Sequence, residues 1–104
     1  MSTDRHAEVT WNGSLLEGSG RIDSTTSGVL GAQPLTWQAR AEDAPAGTSP
    51  EDLIAAAHAG CFAMALSHEL AQAGTPPEEL KTSATVTFQP GEGITKIALT
   101  VRGN

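Results

Sequence analysis

The residues able to do chemistry gather around Cys61, the one cysteine among 104 residues. A thiol becomes a nucleophile only as its thiolate, which needs a neighbouring cation or base and access to a substrate. His58 lies three residues before Cys61 and His68 seven after it, so in a helix all three share one side. A base beside a thiol suits nucleophilic catalysis. Arg40 and Arg21 are candidate cations, although nothing local carries either of them to Cys61. One Cys and two His also form a partial zinc set, but the i, i+3, i+10 spacing spreads them over about 15 Å of helix, too far for one ion. No metal is therefore expected. An unpaired cysteine in mid-helix is most often a small buried hydrophobe, and that plain reading stands beside the reactive one.

Other features have structural readings. Glu51 stands where a helix begins, and carboxylates are favoured there whatever the function. Gly18-Ser19-Gly20-Arg21 lacks both the G-x-G-x-x-G spacing and a Walker lysine, so it is no phosphate loop. Trp11 and Trp37 read as core aromatics of strands.

These residues need elements to hold them. Ser49 is a good N-cap, Pro50 suits the first helical position, and Glu51 and Asp52 complement the positive end of the dipole. Good helix formers run on to Ala73, with Gly74, Pro76 and Pro77 as the stop. The middle of this helix is apolar nearly all round, so it must be covered on more than one face. Upstream, Ala7, Val9 and Trp11 alternate with polar residues as in a half-buried strand, and Asn12-Gly13 reads as a tight hairpin turn. Short strands are expected between Ser14 and Gly31. Leu35, Trp37 and Ala39 alternate again and lead into Arg40, and Ala41 to Gly47 reads as a loop. Downstream, Thr75 to Glu78 could cap one helical turn. Ala84, Val86 and Phe88, then Ile97, Leu99 and Val101, make two strands of a hairpin around Gln89 to Gly93.

Length and composition bound the rest. The chain reads as one domain, residues 1–104, with a modest core. A single cysteine excludes an internal disulfide framework. A net charge of −6, with six scattered Lys and Arg, argues against nucleic acid. Met1 to Glu8 is polar, so no secretory leader is expected. The apolar run from Leu53 to Leu66 falls short of the roughly 20 residues of a membrane span. A cytoplasmic protein without membrane contact is the expectation.

The run Thr48-Ser49-Pro50-Glu51-Asp52-Leu53 through His58-Ala59-Gly60-Cys61-Phe62-Ala63-Met64-Ala65-Leu66-Ser67 resembles the cysteine helix of the OsmC/Ohr family, the osmotically inducible and organic hydroperoxide resistance proteins. The likeness continues through Thr75 to Leu80, Thr82 to Phe88 and Ile94 to Leu99. Leu35 to Arg40 fits the OsmC branch. The resemblance implies an α+β, OsmC-like fold, with antiparallel strands around a long central helix that carries the cysteine. It implies a thiol peroxidase that reduces organic hydroperoxides, needs no cofactor, is recycled by an external thiol, and works as a homodimer. By position it makes Cys61 the peroxidatic residue, Glu51 the helix-start glutamate, and Arg40 the arginine paired with the thiolate, with Arg21 in reserve. The family's second core helix and second cysteine lie beyond the position matching Asn104, so the expectation is a family fold lacking its C-terminal part. The alternatives are a catalytically impaired binding or dimerisation module and a one-cysteine redox sensor.

Overall fold

The computed structural model describes residues 2–42 and 47–104. The chain divides into two compact units, Met1–Pro50 and Glu51–Asn104, and each builds its structure differently.

The first unit is a three-stranded antiparallel sheet in the order β1 (Ala7–Asn12), β2 (Ser19–Thr25), β3 (Pro34–Leu35), followed by a short helix, α1 (Trp37–Ala41). Ile22 on β2 and Leu35 on β3 are its buried apolar residues. Trp11 lies opposite Gly20 in the register. A Cβ at Gly20 would sit 2.5 Å from the Trp11 ring, so only glycine leaves room for the indole to lie across the neighbouring strand. The indole Nε1 donates to the carbonyls of Gly13 and Ser14 at 3.1 and 3.3 Å.

Two expectations for this unit need correction. Asn12-Gly13 is not a two-residue turn: Asn12 pairs with Ser19, and the connection between them runs six residues, closed by Gly18 N donating to Ser14 O at 2.8 Å. Leu35, Trp37 and Ala39 do not continue as a strand. Thr36, in extended conformation, accepts a hydrogen bond from the Ala39 amide on its hydroxyl, and this cap turns the chain into α1. The loop expected over Ala41 to Gly47 falls largely on residues 43–46, outside the described residues. After it, Thr48 returns beside β3, donating to Pro34 O at 2.9 Å and accepting from Thr36 N at 3.2 Å.

The second unit is one helix, α2 (Pro50–Gln72, its first residue closing the preceding unit), followed by a hairpin of β4 (Leu80–Gln89) and β5 (Gly93–Gly103). The helix ends as the sequence requires. Gly74 adopts a positive φ of 83°, Thr75 N donates to Leu70 O at 2.9 Å, and Gly74 N to Ala71 O at 3.0 Å, which together satisfy the last carbonyls. Thr75 to Glu78 form no helical turn. Instead Glu78 N donates to Asn104 O and Asn104 N to Glu79 O, at 2.9 and 3.0 Å, which lengthens the hairpin's pairing. Two consecutive prolines leave this stretch without the amides a helical turn would use.

Along β4 burial alternates strictly: Leu80, Thr82, Ala84, Val86 and Phe88 are half-buried, and the residues between them are exposed. On α2 the half-buried Ala55, Ala59, Ala63, Leu66 and Leu70 recur every three or four residues, which is one side of a helix. Thr82 Oγ1 donates to Ala59 O at 2.9 Å and ties that side to the hairpin. The opposite side is bare. Ile54 and Met64 are both exposed there, so within this unit the helix is covered on one side rather than on several. Its 23 residues, with a mean hydropathy of 1.3 in the richest window, reach what a membrane span requires by length and composition, more than the run Leu53 to Leu66 alone suggests.

Candidate active site

At 100° per residue, Cys61 lies about 160° around the helix from Ala59, the residue tied to the hairpin. The thiol is therefore on the bare side of α2, and it is exposed. This overturns the reading of Cys61 as a small buried hydrophobe. The error has a simple source, because the helix is apolar on both sides and composition does not say which side the hairpin takes.

His58 and His68 fall on the same side as Cys61, and both are exposed. His58 is one turn away. His68 is about 10 Å further along the axis, too distant to touch the thiol. Among the described residues no three His, Cys, Asp or Glu side chains gather as a metal site requires.

Glu51 sits in the first turn of α2 and is buried, with only 6% of its surface exposed, whereas Asp52 beside it is exposed. A buried carboxylate costs free energy unless it is compensated. Position in the first helical turn supplies part of that compensation. The helical rise puts about 15 Å between Glu51 and Cys61, so within α2 the carboxylate does not meet the sulfur.

The two arginines have different surroundings. Arg21, on β2, donates from Nε to Asp23 Oδ1 at 2.8 Å, and its side chain is 60% exposed. Thr10 Oγ1 donates to Asp23 Oδ2 at 2.5 Å. The Thr10 hydroxyl first, and Arg21 after it, hold the Asp23 carboxyl below the usual carboxylate range. Arg21 thus belongs to a surface pair on the strand. Arg40 stands in the last turn of α1 and lines a hollow of about 230 Å³ with Val9, Trp11, Leu15, Leu35, Thr36, Trp37 and Pro50. The hollow is mostly apolar, and among the described residues that line it the guanidinium is the one charge.

Sequence reasoning placed Trp11 and Trp37 in the core, and the structure gives them a different place, in the wall of this hollow. Trp11 is 37% exposed. The signal that would have found the arrangement was Thr36, whose cap bends the chain so that Trp37 and Arg40 rise from one helical turn.

Comparison with known proteins bears on residues of both units. A family model described as OsmC-like protein matches residues 41–104. Two curated proteins, each named Peroxiredoxin OsmC, from Escherichia coli K12 and Shigella flexneri, are 44% identical over 102 residues; the alignment covers 95% of this chain and 70% of theirs. Among solved structures, the organic hydroperoxide resistance protein OhrB of Bacillus subtilis superposes with a TM-score of 0.51 at 26% identity, over 92% of this chain and 68% of that one.

Proposed function

The chain belongs to the OsmC-like family, and from that premise we propose that it is a thiol-dependent peroxidase that reduces organic hydroperoxides, with Cys61 as the attacking residue. The observation that carries the assignment to Cys61 is its place: the one thiol of the sequence, exposed at the middle of the matched helix, on the side away from the hairpin.

In the reaction the Cys61 thiolate attacks the terminal oxygen of the hydroperoxide. The S–O bond forms, the O–O bond breaks, sulfur is oxidised by two electrons to the sulfenic acid, and the organic part leaves as an alcohol once protonated. An external thiol then displaces water from the sulfenic acid to give a mixed disulfide, and a second thiol releases Cys61 in its reduced form. Arg40 is assigned to the thiolate and the leaving oxygen. It keeps its charge at any working pH and presents a fork of donors, and it already lines an apolar hollow suited to an organic substrate. Arg21, engaged with Asp23, is the weaker candidate. Glu51 is assigned as the carboxylate that orients the arginine.

The apolar bare side of α2 supports a homodimer, since such a surface is stable in water when a partner covers it. The relatives' alignment runs across both units, which supports reading residues 1–104 as one family domain. The stripe of α2 tied to the hairpin supports reading α2 as the helix of a soluble fold rather than as a membrane span, and a cytoplasmic location is proposed with it.

The test is peroxide consumption with dithiothreitol as the reductant. Cumene hydroperoxide should be consumed faster than hydrogen peroxide, and Cys61→Ser should abolish both activities. A Cys61→Ser protein that retains the rate refutes the assignment.

A further inference from the structure

Building on the peroxidase reading, we propose that His58 carries the proton for the reaction, taking it from the Cys61 thiol and delivering it to the departing alkoxide. Breaking the O–O bond heterolytically expels an alkoxide about as basic as hydroxide, so the step is slow unless a proton arrives as the bond breaks. An arginine polarises that oxygen but has no proton to give at working pH. The donor must be a group that exchanges protons near neutrality, within reach of an oxygen bonded one atom away from the sulfur.

The second unit offers one such group. From Leu53 to Ser67, fifteen residues of α2, the only ionisable side chains are His58 and Cys61. They are spaced i, i+3, which brings their Cβ atoms to about 5–6 Å on neighbouring positions of the same surface. Both are exposed on the side turned away from the hairpin, and the Thr82 hydrogen bond to the carbonyl of Ala59, the residue after His58, fixes that rotation of the helix. An imidazole is the side chain whose proton exchange falls in the physiological range.

The balance closes without another reagent. The thiol proton moves to a ring nitrogen of His58, and the thiolate attacks the terminal oxygen. The imidazolium then protonates the alkoxide, leaving Cys61 as the sulfenic acid, the substrate as the alcohol, and His58 neutral again.

The experiment compares leaving groups. Single-turnover oxidation of Cys61 is measured with tert-butyl hydroperoxide, which expels an alkoxide, and with perbenzoic acid, which expels a stable carboxylate that needs no proton. In His58→Gln the alkyl hydroperoxide rate should fall about 100-fold, the lower end for loss of a general acid. The peracid still needs the thiol deprotonated but no proton on its leaving group, so its rate should fall at least about tenfold less than the alkyl hydroperoxide rate. In His58→Ala, added imidazole should restore part of the alkyl hydroperoxide rate. Glutamine and alanine are both good helix formers, and the ratio of the two substrates within one variant controls for misfolding. Equal slowing with both substrates, or no slowing with either, overturns the role of His58 alone. An unaltered protein that reacts with tert-butyl hydroperoxide no faster than a free thiol overturns the peroxidase reading as well.

Discussion

The two units of this chain place their chemical groups by opposite means. In the second, one 23-residue helix tied to a hairpin fixes which side of itself is open, and Cys61 and His58 follow from their spacing alone. In the first, Arg40 gets its surroundings from residues far apart in the chain, Val9 and Trp11 on β1, Leu35 on β3 and Trp37 on α1. A nucleophile can be presented by periodicity, whereas a charged group in an apolar wall has to be assembled. Substitutions should therefore act locally in the second unit and more broadly in the first.

The largest contrast should lie between the two arginines. Arg40→Ala should lower kcat/KM for an organic hydroperoxide by about 100-fold or more, the cost of losing a charge that stabilises a developing anion. Arg21→Ala, which breaks an exposed pair with Asp23, should change it less than about twofold, since such pairs contribute little. Equal losses in the two variants, measured by steady-state kinetics, would erase the distinction drawn between them.

Stability should divide along the same line. Ile22 is 3% exposed, so Ile22→Ala should cost about 2–5 kcal/mol in urea unfolding. Ile97 on β5 is 44% exposed, and Ile97→Ala should cost about 1 kcal/mol or less. The smallest effect, and one of opposite sign, belongs to Gly60. A glycine in a helix interior loses about 0.5–1 kcal/mol against alanine, and the space for a methyl group is free. Gly60→Ala should raise the melting temperature by a few degrees. A lowered melting temperature would mean that something packs against Gly60 on the bare side of the helix.

What could be read from sequence follows the same division. The second unit was legible because its signals are local: Ser49-Pro50 before the helix, Gly74 and two prolines after it, and strict alternation along β4. Even there, the exposure of Cys61 was not, since Ala59 and Cys61 are both small and apolar, and which side is covered is decided by packing against the hairpin, where Thr82 bonds the Ala59 carbonyl. In the first unit Asn12-Gly13 carried a strong turn signal that lost to a six-residue connection, in which Gly18 closes back on Ser14 and the Trp11 indole bonds the loop carbonyls. Trp37 and Ala39 alternated like a strand, but the Thr36 cap outweighed three residues of pattern. Arg40 was picked out by family likeness, while its hollow depended on contacts between segments that no local pattern encodes.

The central claim is that Cys61 is the atom that meets the peroxide. The most direct measurement is intact mass after one equivalent of cumene hydroperoxide, with dimedone present to trap sulfenic acid and peptide mapping to locate it. The account predicts one dimedone adduct per chain, on the peptide carrying Cys61, formed as an equivalent of alcohol appears, and none in Cys61→Ser. Hydroperoxide consumed at an undiminished rate in Cys61→Ser, or left intact beside an unmodified Cys61, would contradict it.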